Sequence, residues 1–103
     1  MRPLRVALYS GLWVRHDAIS SSLGLKVDLL ERLHEAGAPV ETTVFVHDTD
    51  RRDDPDVHRH DGVTSLLADP AFAAADVHIF EYGIHYPLFD AAYFIRPSAA
   101  SLG

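Results

Sequence analysis

Three groups of residues have types and spacings that chemistry can use. The first is Asp17 with Ser20, Ser21 and Ser22, an acid and three hydroxyls in close succession. At the start of a helix they join exposed N–H groups and the positive end of the helix dipole, about half a charge, which together suit a phosphate or another anion. The plainer alternative is that Asp17 caps the helix and the serines are solvated. Gly11 lets the preceding strand end tightly, and Trp13 and His16 lie on the loop between; Trp13 either stacks on a sugar or base or covers the core. The second group is Glu81-Tyr82-Gly83. A carboxylate at the end of a buried strand must be paired or reach a cleft, so Glu81 reads as a base, a hydrogen-bond acceptor for a polyhydroxylated ligand, or half of an ion pair with a neighbouring arginine. The third, His58-Arg59-His60-Asp61, invites a metal reading, but it lies in an acidic stretch and matches no ligand spacing. The expectation is therefore no metal and a solvated loop.

These groups need a scaffold, and the hydrophobic pattern supplies one. Leu4 to Gly11 reads as a strand apolar on both faces, which belongs inside a layered α/β sheet. Ile19, Leu23, Val27, Leu30 and Leu33 form one helical stripe, with Asp17 before it, Gly37 as a left-handed cap and Pro39 beyond. Gly24 inside that helix reads as a place of close backbone approach. Val40 to Val46 is a β-branched second strand, and His47–Asp61, with six aspartates, three arginines and three histidines, a polar loop. Ser65 to Ala75 is a helical stretch broken at Pro70, Asp76 to Gly83 a third strand, and Pro87 to Ile95 a third helix. His78 is expected to satisfy one hydrogen bond within the sheet, and His34 to complement the dipole at the end of its helix. The order β-α-β-α-β-α predicts parallel strands in a partial Rossmann-like sheet. With the common 3-2-1-4 order and no fourth strand, the first strand would be an apolar edge, so the isolated chain is expected to be marginal and to self-associate.

Composition narrows the function. The chain has 103 residues, 48% of them hydrophobic, enough for one domain with a core. It lacks cysteine, which excludes disulfides, thiolate metal sites and thiol nucleophiles. A net charge of -6, with fifteen acidic residues against nine basic, argues against nucleic acid as a partner. Arg2, Arg5 and the apolar run after them imitate a signal peptide, but Tyr9-Ser10-Gly11 interrupts the run and no cleavage site follows. No stretch reaches the roughly 20 apolar residues of a membrane span. The expected location is the cytoplasm. GxGxxG and GxxxxGK[ST] are both absent, which counts against a standard dinucleotide or P-loop site.

Ser10-Gly11, the helix that opens His16-Asp17-Ala18-Ile19-Ser20 and ends Glu35-Ala36-Gly37, and the run Ala75 to Gly83 together resemble the amino-terminal domain of GT-B glycosyltransferases, the retaining family-4-like group above all. The resemblance implies an enzyme that moves a sugar from a nucleotide-sugar donor to a glycan or other acceptor, without a cofactor or an obligatory metal. This chain would be the acceptor-side part, its first loop carrying Gly11, His16 and Asp17 towards the donor phosphates. It implies Glu81 and His16 as candidate catalytic residues, and Gly11, Asp17, Ser20, Tyr82 and Gly83 as the cleft. Glu81 stands where many relatives have histidine. The donor-binding carboxyl-terminal domain is absent from these residues, so the chain alone is expected to be inactive. The rival expectation is a small flavodoxin-like or receiver-type signalling or interaction module. Against the receiver, Ser10-Gly11 and Glu81-Tyr82 stand where its acidic pair and phosphorylated aspartate would be.

Overall fold

The computed structural model describes residues 3–13, 18–50, 53–81, 87–95 and 99–102, the side chains of 18–21 and 102 excepted. Five strands form one wholly parallel sheet, β1 (Leu4–Trp13), β2 (Val40–Thr49), β3 (Val57–Arg59), β4 (Val77–Phe80) and β5 (Ala100–Leu102), in the order β3-β2-β1-β4-β5. The chain is thus α/β with a partial Rossmann-like sheet. β1 runs through the middle, from Leu4 beside Val40 to Trp13 beside Thr49 on one side, and from Val6 beside Val77 to Tyr9 beside Phe80 on the other. Its doubly apolar sequence follows from that place: Val6 and Leu8 face one helical layer, Ala7 and Tyr9 the other.

α1 (Ala18–Glu35) covers the first face, where Leu23 and Val27 are buried against Val6, Leu8, Val44 and Val46. It ends in a Schellman motif: Gly37 has φ +95°, its N–H donates to His34 O, and the Ala38 N–H donates to Leu33 O. Gly24 does not mark a close approach. A Cβ there would meet nothing nearer than Trp13 Nε1 at 4.0 Å. Trp13 itself is buried in the α1-side core, as its core-covering reading expects.

The opposite face is covered by α2 (Val63–Leu67), α3 (Pro70–Ala74) and a 3-10 helix (Pro87–Phe94), with Leu66, Phe72, Leu88, Phe89 and Ala91 around Tyr9, Phe45 and Phe80. The break at Pro70 is where the sequence puts it. Pro70 opens α3, and the Asp69 side chain caps it by accepting from Ala71 N–H at 3.0 Å. The expected third helix is present over Pro87–Phe94 but winds as 3-10.

Three expectations are corrected. β1 does not end at Ser10-Gly11; it continues to Trp13, so Gly11 is a buried strand residue and not a turn. His47–Asp61 is not simply a loop, because β2 runs to Thr49 and Val57–Arg59 pairs with Val44–Val46 as β3. β1 is not an edge: β4 lies on its free side, and Ala100–Leu102 adds β5 beyond. The edges are instead strands of three residues each, short enough to leave little backbone open to another chain.

Candidate functional site

β1 leads to β2 on one side of the sheet, while the chain from β3 crosses to the other side to form β4. The strand order therefore reverses between β1 and β4, and open α/β sheets bind ligands beyond the carboxyl ends of the strands at such a point. β1 and β2 extend past the end of β4, and side chains fasten their tips: Thr49 Oγ1 donates to Trp13 O at 2.7 Å, and Ser10 Oγ to Leu12 O at 2.8 Å. α1 starts at Ala18, five residues after Trp13, so its first turn cannot lie far from that rim.

Glu81 follows β4 at this point, its N–H donating to Tyr9 O at 2.8 Å. Its carboxylate accepts from the Lys26 ammonium on α1, an ion pair in which the Glu81 side chain keeps only 11% of its exposure. The ion-pair reading of Glu81 is thus the one its contacts favour, with lysine as the partner. Gly11 is brought to the same end of the sheet, on the neighbouring strand. Ser20 lies in the first turn of α1. His16, Asp17, Tyr82 and Gly83 lie outside the described residues.

A groove of about 310 Å³ elsewhere, between α1 and β2, is lined by Glu31, Glu35, Glu41, Asp54 and Asp56 with apolar Val27 and Leu30. Five carboxylates facing one space repel phosphate, so the groove is a poor place for an anionic ligand.

On the other face, the sheet carries a row of rings. Tyr9 stacks on Phe80 with ring centres 4.3 Å apart and on Phe45 at 5.2 Å, and Phe45 meets His58 edge-on at 5.6 Å. The Tyr9 hydroxyl is hydrogen-bonded to His78 Nδ1 at 2.6 Å, with both residues buried. Burial, and then the negative charge of Asp69, push the Tyr9 phenol well above the usual tyrosine range. His78 so meets its expected single bond within the sheet. His34, in the last turn of α1, is hydrogen-bonded to Val40 O at 2.9 Å.

The arrangement that residue spacing did not reveal lies at the β3 edge. His58 Nδ1 and His60 Nε2 converge on one oxygen, Asp69 Oδ2, at 2.6 and 2.9 Å. Burial raises the Asp69 carboxyl, but bonds from His60, His58 and Ala71 outweigh it and hold it below the usual carboxylate range. The His-x-His pair was visible in the sequence. The acid next to it in sequence is Asp61, whereas the fold delivers Asp69 from across α2.

No protein-family model, curated protein or solved structure matches the chain. Among the described residues, no helix is long and apolar enough to cross a membrane.

Proposed function

We propose that this chain is the amino-terminal, acceptor-side part of a cytoplasmic glycosyltransferase that moves a sugar from a nucleotide-sugar donor to a glycan or other acceptor, with a second domain holding the donor. The observation that carries the reading is the β1–β4 reversal point beside the start of α1, with Glu81 at its floor. In this reading the acceptor oxygen bonds to the anomeric carbon as the bond to the nucleoside diphosphate breaks. The first turn of α1 faces the departing phosphates. Because Glu81 is already neutralised by Lys26, its part is to shape the floor and accept hydrogen bonds from acceptor hydroxyls; His16 is the candidate for the acceptor proton.

The flavodoxin-like alternative is separated from this reading by three residues. Val57–Arg59 pairs with the outer side of β2, giving the order 3-2-1-4-5; without that strand, β2-β1-β4-β5 would be the flavodoxin-like order. The deciding experiment is a titration of the whole encoded protein with a panel of nucleotide-sugars, following release of nucleoside diphosphate with and without acceptors. Acceptor-dependent release is expected. If no nucleotide-sugar binds, or the 103-residue chain alone takes up a flavin or a phosphoryl group, the reading fails.

A further inference from the structure

Both ring nitrogens of His60 are engaged. Nδ1 lies 3.0 Å from Ser65 Oγ, a hydroxyl that is also 3.3 Å from Gly62 O. The other nitrogen, Nε2, lies 2.9 Å from Asp69 Oδ2. The same oxygen meets His58 Nδ1 at 2.6 Å, while Asp69 Oδ1 is occupied by the Ala71 N–H. Asp69 Oδ2 and one nitrogen of each imidazole thus lie together, the three ligand atoms all within 4.8 Å of one another.

The surroundings hold these groups in place. The His60 N–H donates to Val46 O at 2.8 Å, which ties the residue to β2, and Phe45 packs against both imidazole rings, at 5.6 and 5.9 Å. Ser65 orients His60 through its outer nitrogen, as partners of metal-bound histidines do. Ligand atoms about 2.0–2.1 Å from a tetrahedral ion lie roughly 3.3 Å apart, so the 2.6 and 2.9 Å separations need to widen by about 0.7 and 0.4 Å. Two imidazoles and a carboxylate suit a borderline transition metal; calcium and magnesium prefer oxygen alone. His58 keeps 32% of its side-chain exposure against 13% for His60 and 11% for Asp69, which leaves an entry path on its side.

We propose that His58, His60 and Asp69 bind one divalent transition-metal ion, zinc foremost, which staples edge strand β3 to the start of α3 and leaves one position open to water. This site lies two strands away from the β1–β4 reversal point and stands whether or not the sugar-transfer reading holds. The test is calorimetric titration of zinc into the untagged, chelator-treated chain, with cobalt(II) absorbance as a second readout. One ion should bind per chain with micromolar or tighter affinity, and cobalt should show the visible bands of a low-coordinate nitrogen–oxygen site. Asp69→Asn, which keeps a capping oxygen for α3, and His60→Gln should each weaken binding about 100-fold or more while far-ultraviolet circular dichroism stays unchanged. His58→Gln, at the most exposed ligand, serves where either of those fails to fold, and His34→Ala should change nothing. Affinity no tighter than millimolar, or zinc binding equally strong in the folded ligand variants, would overturn the proposal in favour of a hydrogen-bonded histidine–aspartate cluster.

Discussion

Replacing Tyr9 by phenylalanine removes one oxygen from the centre of the sheet and leaves nearly everything else intact. The ring keeps its stacks on Phe80 and Phe45, so the loss is confined to the 2.6 Å bond with His78 Nδ1. Both residues are at most 1% exposed, so no water replaces the lost partner. Leaving a buried polar atom unsatisfied costs about 1–3 kcal/mol, which is the expected destabilisation at pH 7. A second effect depends on pH. Burial and the Asp69 charge raise the phenol's pKa in the folded chain above its value in the unfolded one. Above about pH 10 the unfolded chain loses this proton and the folded chain keeps it, so the contribution of Tyr9 is complete below about pH 10 and is lost as the pH rises further. The slope is about 1.4 kcal/mol per pH unit, and phenylalanine lacks it. The gap between wild type and Tyr9→Phe should therefore narrow by about 1.4 kcal/mol between pH 9 and pH 11. Urea unfolding of both proteins at pH 7, 9 and 11, followed by circular dichroism, measures it. A gap that stays constant through pH 11, or a variant more stable than wild type at pH 7, would refute the reasoning.

Three further outcomes can be checked the same way. Gly24→Ala should stabilise the chain by about 0.5–1 kcal/mol, because α1 has room for the methyl and gains helix propensity; a lower midpoint in urea would show a clash at Trp13. Leu8→Ala, which empties a fully buried site between β1 and α1, should cost about 2–5 kcal/mol, and a loss below 1 kcal/mol would mean that α1 does not pack as described. A double-mutant cycle on Lys26 and Glu81 should give a coupling of about 1 kcal/mol or less that weakens in high salt, since the Lys26 side chain keeps 43% of its exposure; a large, salt-independent value would mean a buried pair.

Much of the frame can be read from residue patterns because local forces set it. The doubly apolar run of β1, the Leu23–Val27 stripe of α1, the left-handed Gly37 and the Asp69-Pro70 helix start each declare themselves within a few residues. The misreadings have physical causes too. Ser10-Gly11 looks like a turn, yet hydrogen bonding along β2 carries β1 past it to Trp13. Val57-His58-Arg59 has no apolar signature because an edge strand of three residues is held by backbone bonds to β2.

The candidate sites divide along the same line. That Glu81 closes a buried strand, and that two histidines stand two apart in an acidic stretch, is written in the chain, because side-chain chemistry and alternation are properties of neighbours in sequence. Which charges meet them is a matter of packing. Lys26 lies 55 residues from Glu81, and Asp69 is 11 from His58. Their approach depends on how α1 lies over β1 and β2 and how α2 turns back to the sheet edge. Burial of apolar surface drives that docking and brings the polar groups along, so no spacing rule contains it.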